Sequence, residues 1–278
     1  MTDTNRRMTL ANGARAIRDA RRGKAIRLLA TAGYAAILIG GASVAHAGQS
    51  GPVVPKARTA VSNAANEMVG LKIPDSKLAR DAVQVVRSAE GELLFQHSMR
   101  VYGWAALAGK RKGLGFDPDL LFVAAMFHDY GLTARYGESH QRYEVDGADA
   151  AGDFLRKHSV PEAVSQKVWL AISLHTTNGI SPHLDPIASL LAGAANMDLV
   201  GAGFNDFTAA QRDAVEAAHP REPHFADDFM QALYDSLKHR PETTQGTGLA
   251  DVMVHKDPQF PLRNFSKLML HSPWTAAK

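Results

Sequence analysis

From Ser76 to about residue 242 the apolar residues recur at helical spacing, and almost no stretch shows the alternation that a β-strand requires. Helix-start signals mark this region repeatedly. Asp117-Pro118 and Asp185-Pro186 each join a capping carboxylate to a proline at the first helical position. The pattern predicts a single all-α domain of seven to nine helices with short connections. With 278 residues and 45% hydrophobic content, the chain can bury one core of this kind.

The segments that flank this domain have a different composition. Residues 48–75 mix glycine, proline, serine and alanine without sustained periodicity, so they are predicted to form a linker. Residues 243–278 are rich in proline and polar side chains, which predicts a C-terminal extension that packs on the domain or trails from it. Within the domain, helices are predicted to start near Ser76, Glu92, Pro118, Asp146, Pro161, Pro186, Thr208 and Ala226, with Asp146 as the predicted cap of its helix.

The N-terminal residues 1–47 resemble a secretion signal. Residues 28–47 contain no formally charged side chain, follow the basic run RRGKAIR, and end in Ala-His-Ala, a small-x-small cleavage motif. This order predicts a signal peptide that is cleaved after Ala47 and a protein that is exported to the periplasm or the cell exterior. An uncleaved membrane anchor formed by residues 28–47 is the alternative, because twenty uncharged residues can span a bilayer.

The distribution of charge excludes several classes of partner. Eight of the 31 basic residues, but two of the 28 acidic ones, lie within the first 27 positions, so the remainder carries 23 basic and 26 acidic side chains. A mildly acidic domain lacks the excess of positive charge that binding to nucleic acid requires. We therefore expect a small-molecule substrate, with membrane contact through the leader alone and homo-oligomerisation left open. Since cysteine is absent, disulfides, thiolate nucleophiles and cysteine-ligated metals are excluded.

Two histidines and two aspartates stand out because each lies in an apolar helical context. His128 and Asp129 are adjacent at the end of the apolar run VAAMFHDYG, His97 lies in LLFQHSMRVYGWA, and Asp198 is a lone acid in LLAGAANMDLVG. Burying such groups is costly without a compensating partner, and a divalent cation is one that neutral imidazoles and carboxylates bind well. The four residues therefore predict a mononuclear metal site. The alternative is a His-Asp pair that satisfies itself at a helix end.

Four further residues are candidates for roles around this site. His175 also ends an apolar helix, so it could act as a substrate donor or proton shuttle, or ligate a second metal together with His183. Glu144 could serve as a general base, and Arg100 lies three residues after His97 and could reach the site. For each of them a structural role is the alternative, such as a core histidine, a helix cap or a surface ion pair. Trp104, Tyr130, Tyr136 and Phe204 are candidates for the walls of the pocket.

The chain resembles the HD superfamily, whose signature is a histidine, an adjacent His-Asp pair and a distant aspartate on the helices of an all-α domain. Over roughly residues 90–240 the resemblance implies that His97, His128, Asp129 and Asp198 are the metal ligands. Four segments are similar to the cyanamide hydratase-type branch, namely HSMRVYGWA, FHDYGLT, RYEVDGADAAGDFL and AISLHTTNGISPHL. That branch adds water to cyanamide to give urea. The exported leader departs from it, which leaves the physiological substrate open.

The resemblance implies an enzyme with one divalent metal ion that activates water. Zinc is favoured, while Fe(II), Mn and Ni accept the same ligands. The activated water would attack the carbon of a small nitrile, or a phosphorus centre if the chain is a phosphohydrolase or phosphodiesterase. The sequence offers few cations for phosphate recognition, which favours the nitrile. A helical binding domain with a structural metal is the non-enzymatic alternative.

Overall fold

The structure, a computed structural model, describes residues 71–244 and 249–276. The predicted signal peptide of residues 1–47, the alternative anchor of residues 28–47 and most of the linker of residues 48–75 lie outside the described residues, so export remains a prediction. Among the helices that are described, none combines the length and the apolar character needed to cross a membrane.

Over the described ranges the chain is all α-helical with no β-strand, which confirms the predicted fold class. The helices are α1 Lys77–Arg87, α2 Glu92–Lys112, α3 Pro118–Phe127, α4 Tyr143–Lys157, α5 Glu162–Ser173, α6 Pro186–Val200, α7 Ala209–Ala218, α8 Phe225–Leu237, α9 Leu249–Lys256, α10 Phe265–Leu270 and α11 Pro273–Ala276. Short 3₁₀ turns lie at Tyr130–Leu132, Ala134–Tyr136, Ser181–His183, Phe204–Asp206 and Pro241–Thr244.

Most helix starts agree with the capping signals in the sequence. The side chains of Ser76, Asp117, Asp185 and Thr208 each accept a hydrogen bond from a backbone N–H of the first turn. These bonds satisfy donors that a helix N-terminus otherwise leaves unpaired. Local side-chain chemistry therefore sets the boundaries of α1, α3, α6 and α7.

The start of α4 differs from the prediction. The helix begins at Tyr143, so Asp146, which the sequence suggested as the cap, lies inside its first turns. The Asp146 carboxylate instead accepts hydrogen bonds from Ser139 Oγ, at 2.9 Å, and from Arg240 Nη1, at 2.5 Å. Arg240 is fully buried and also donates to the backbone oxygen of Gly131. Because the Asp146 carboxylate forms this ion pair with a distant part of the chain, it does not cap α4.

Helix α3 lies at the centre of the domain. Every residue from Leu121 to Phe127 is buried, and α3 packs against α1, α2, α4, α5 and α6. A helix that is apolar on all sides is stable only when neighbours surround it. This arrangement places the C-terminal end of α3, where His128 and Asp129 follow, inside the molecule.

Two glycines allow α4 to approach the end of α3 closely. A Cβ on Gly131 would lie 2.0 Å from the backbone oxygen of Tyr143, and one on Gly147 would lie 2.6 Å from that of Phe127. Backbone atoms cannot move aside as side chains can, so any larger residue would separate the two segments. The contact brings the first turn of α4 next to Asp129.

The chain beyond residue 243 contains α9, α10 and α11. Met269 of α10 is fully buried in a second apolar cluster, which it shares with Leu94, Leu132, Phe225 and Phe229. Trp274 Nε1 donates a hydrogen bond to the backbone oxygen of Met197, at 2.8 Å. The described part of the extension therefore packs on the domain at α10 and α11.

We predict that Arg240→Met lowers the free energy of unfolding by about 3–5 kcal/mol, because it leaves the Asp146 carboxylate buried without its cation. Chemical denaturation of both proteins at an unchanged m-value measures the loss. The double variant Asp146→Leu/Arg240→Met should recover part of it, since an apolar pair leaves no unpaired charge. A single variant as stable as the wild type would contradict this role.

Candidate metal centre

Three side-chain atoms converge where α2 crosses the end of α3. The Nε2 atoms of His97 and His128 lie 3.2 Å apart, and Asp129 Oδ2 lies 3.4 Å from the first and 3.2 Å from the second. All three side chains are buried. In residues 71–244 and 249–276 they form the one group of three or more ligand-type side chains whose atoms are close enough to share a metal ion.

The hydrogen bonds on the far sides of the rings fix where the imidazole protons are. His97 Nδ1 is 2.7 Å from Asp198 Oδ2, and His128 Nδ1 is 2.7 Å from the backbone oxygen of Ala125. Because both partners can only accept, each Nδ1 carries the proton and each Nε2 of a neutral ring presents a lone pair. The two lone pairs point toward Asp129 Oδ2, which has no hydrogen-bond partner.

Three lone-pair atoms that meet in a buried site repel one another unless a cation lies between them. Burial by itself lowers the pKa of His128, but the negative charge of Asp129 outweighs it and raises the pKa above its ordinary value. For His97 burial prevails, and the pKa is lowered. Two imidazoles and a carboxylate with an unpaired oxygen fit a divalent cation of the zinc type.

Asp198, the fourth expected ligand, lies outside this group. Besides His97, its carboxylate accepts hydrogen bonds from Arg100, Trp104 and Arg221. Burial raises the pKa of Asp198, but the charges of the two arginines outweigh it and hold the pKa well below its ordinary value. Asp198 is therefore a buried carboxylate on the side of the His97 ring that faces away from the three converging atoms.

His175 lies on the other side of Asp129. Its Nδ1 donates to the backbone oxygen of Ile172 at 2.7 Å, so a neutral ring presents its Nε2 lone pair 3.7 Å from Asp129 Oδ1. The Tyr143 hydroxyl is 3.5 Å from the same nitrogen. Burial, together with the neighbouring His128, lowers the pKa of His175 to about 4. At neutral pH His175 is an uncharged proton acceptor at the edge of the site.

The other predicted site residues have partners of their own. Arg142 Nη2 donates to Glu144 Oε1 at 2.6 Å, and the Thr176 hydroxyl donates to the same oxygen. Burial raises the pKa of Glu144, but the hydrogen bonds from Arg142 and Thr176 outweigh it and lower the pKa overall. Arg100 is bound to Asp198. His183 is exposed in a 3₁₀ turn, and no third ligand joins it and His175 among the described residues.

Several residues around the site could not be identified from local sequence patterns. Arg221 follows a histidine-proline pair in a polar loop, yet it is bound to Asp198. Glu90 is buried with one oxygen unpaired, and burial, followed by the charge of Asp129, raises its pKa well above the ordinary value. Phe225 and Phe229 of α8 cover the His97 ring, with centroids 6.0 and 4.9 Å away. Of the expected wall residues, Trp104 contacts the site through Asp198.

Comparison with known proteins agrees with the fold and the site. Residues 94–201 match the family model described as HD domain. The matched segment contains His97, His128, Asp129 and Asp198, and it spans α2 to the end of α6. No curated protein matches the chain. The segment that matches the HD domain model thus contains the whole buried His-His-Asp group.

We predict that the purified protein binds one divalent ion and that Asp129→Ala abolishes this binding. Because the ion must replace the proton on His128, whose pKa is raised, the apparent affinity should fall as the pH is lowered through that pKa, by up to about tenfold per pH unit. Elemental analysis and zinc titration from pH 5 to 8 measure both effects. His183→Ala is the control, since it removes an exposed histidine. Full occupancy in Asp129→Ala, or an affinity that is independent of pH, would contradict the assignment.

Proposed function

We propose that this chain is a metal-dependent HD-domain enzyme that hydrates a small, uncharged nitrile, with cyanamide as the model substrate and urea as the product. The observation that carries the proposal is that the arginines around the buried His-His-Asp group are bound to carboxylates. The four segments similar to the cyanamide hydratase-type branch lie in this region and support the same choice.

The paired arginines argue against an anionic substrate. Arg100 and Arg221 both bind Asp198, Arg142 binds Glu144, and Arg240 binds Asp146. Phosphate recognition uses several arginine or lysine side chains whose hydrogen-bond donors are available to the ligand. Recruiting one of these arginines would leave a buried carboxylate unpaired, which is costly. A neutral substrate requires no such rearrangement.

The surroundings of the site favour a small substrate. The side chains of His97, His128 and Asp129 are at most 3% exposed. Phe225 and Phe229 lie over His97, and Leu94 and Leu132 belong to the same apolar cluster. An anion entering this space would lose its hydration, and beyond the metal ion it would meet arginines that already bind carboxylates. A molecule of a few atoms with a polar triple bond would lose far less.

Hydration of cyanamide joins the water oxygen to the nitrile carbon, breaks one π bond of the C≡N group, and moves a water proton to the nitrogen. A divalent ion held by His97, His128 and Asp129 would supply the Lewis acidity that lowers the pKa of water toward neutrality. In the proposed reaction the Nε2 lone pair of His175, which lies 3.7 Å from Asp129 Oδ1, accepts the water proton and returns it to the nitrile nitrogen. The Tyr143 hydroxyl can hold His175 in position. A proton shift within the resulting isourea gives urea.

A phosphohydrolase or phosphodiesterase is the second candidate, because the match to the HD domain is compatible with either reaction. The direct test is to incubate the zinc-loaded protein with cyanamide and assay urea, alongside phosphate release from a panel of nucleotides and phosphate esters. We expect urea formation that is lost in Asp129→Ala and on chelation. Phosphate release that depends on Asp129, with no urea above background, would replace the proposal with the second candidate. Stoichiometric metal with neither product would favour a binding domain.

We predict that His175→Gln lowers kcat for cyanamide hydration by about 10²–10⁴-fold, since it removes a proton acceptor from the site. Its zinc content should stay at the wild-type level, because the converging atoms belong to His97, His128 and Asp129. His183→Ala, in the same segment of chain but exposed, should retain full activity. An unchanged kcat in His175→Gln would contradict the shuttle role, and loss of zinc would make His175 a ligand.

A further inference from the structure

We propose that Asp198 is a positioning residue rather than a metal ligand: it fixes the tautomer and orientation of His97 from behind, and it anchors the segment that leads to the covering helix α8. The inference rests on the metal site described above and departs from the ligand set that the sequence suggested. It does not depend on which reaction the site catalyses.

The hydrogen bonds on the Asp198 carboxylate leave no room for a metal ion. Oδ1 accepts from Arg100 Nε at 2.9 Å, Trp104 Nε1 at 2.8 Å and Arg221 Nη2 at 2.7 Å. Oδ2 lies 2.7 Å from His97 Nδ1 and accepts from Arg100 Nη2 at 3.0 Å. A carboxylate has about four lone-pair sites, and these five contacts already use them.

The geometry of an imidazole ring keeps Asp198 away from the converging atoms. Nδ1 and Nε2 lie on opposite sides of the ring, and Asp198 is bonded to Nδ1 while Nε2 faces His128 and Asp129. An oxygen at hydrogen-bond distance from one nitrogen cannot also reach an ion on the other. Turning the carboxylate toward the ion would also break its buried contacts with Arg100 and Arg221.

A carboxylate behind a ligating histidine has a defined effect on the metal site. By accepting a hydrogen bond from Nδ1–H of His97, Asp198 holds the Nε2 lone pair toward the ion and increases the basicity of the ring. His128 has a backbone carbonyl in the equivalent place, at Ala125. The two histidines are therefore oriented by different hydrogen-bond acceptors. The acceptor for His97 is a charged carboxylate, whereas the acceptor for His128 is a neutral backbone carbonyl.

The same carboxylate is tied to the loop that precedes α8. Arg100 Nη1 donates to the backbone oxygens of His219 and Pro220, at 3.3 and 3.1 Å. Arg221, which belongs to this loop, lies over the ring of Phe225 with its guanidinium carbon 4.5 Å from the centroid. Asp198 therefore links the orientation of His97 to the placement of the aromatic side chains that cover it.

The first test uses the wild-type protein. In the zinc-loaded protein with ¹⁵N-labelled histidine, we expect the His97 ring to carry a hydrogen-bonded proton on Nδ1 and to bind the metal through Nε2. A His97 ring whose Nδ1 has no proton, or a wild-type protein that takes up no zinc, would overturn the proposal. Because substrate is absent, failure of the nitrile reaction leaves this result unaffected.

The second test compares Asp198→Asn with Asp129→Asn. Loss of a carboxylate behind a ligand histidine should weaken zinc binding by about 10–100-fold, leave one ion bound at saturation, and shift the His97 tautomer signals. Asp129→Asn should lose stoichiometric binding. The cobalt-loaded absorption spectrum of Asp198→Asn should keep the wild-type band positions, since its ligands are unchanged.

Three outcomes of this comparison contradict the proposal. One is an Asp198→Asn protein that is folded by circular dichroism yet loses zinc as completely as Asp129→Asn. Another is an altered cobalt spectrum at full occupancy, which would place Asp198 among the ligands. The third is an unchanged zinc affinity and tautomer, which would make its role purely structural. If the variant does not fold, the ring protonation of wild-type His97 decides the question.

Discussion

The convergence of three buried lone-pair atoms governs how the helices of this domain are arranged around the site. His97 Nε2, His128 Nε2 and Asp129 Oδ2 lie within 3.4 Å of one another, and Asp129 Oδ2 has no hydrogen-bond partner. Such an arrangement is stable when a cation lies between the atoms and unfavourable when nothing does. Three features of the fold hold these atoms in place: the central position of α3, the close approach of α4, and the buried ion pairs between arginines and aspartates.

The same constraint connects the fold to the proposed chemistry. The cations near the site neutralise carboxylates that support it, with Arg100 and Arg221 on Asp198 and Arg240 on Asp146. This pairing is the reason for which we propose a neutral substrate rather than an anion. His175, whose pKa is lowered by burial, lies beside Asp129 without adding a charge at neutral pH.

The sequence predicted the features that depend on local chemistry. Helical periodicity gave the fold class, Ser76 and Thr208 marked helix starts, and His97, His128 and Asp129 were identified because each is polar in an apolar helical run. What it missed depends on partners far away in the chain. Asp146 is of a residue type that often caps helices, but its carboxylate forms an ion pair with Arg240, 94 residues later, instead of capping α4. Asp198 was expected to be a ligand because it is the lone acid of an apolar helix. The sequence did not reveal that Arg221, in a loop without periodicity, donates a hydrogen bond to it. No local pattern reveals which distant cation a buried carboxylate will meet.

If His97, His128 and Asp129 hold one divalent ion, anomalous diffraction from crystals of the zinc-loaded protein, recorded at the zinc absorption edge, should reveal it. We expect a single peak about 2.0–2.2 Å from the Nε2 atoms of the two histidines and from a carboxylate oxygen of Asp129, with Asp198 still bonded to the Nδ1 of His97. The absence of a peak between these three side chains, or a peak that includes Asp198 in its coordination shell, would contradict it.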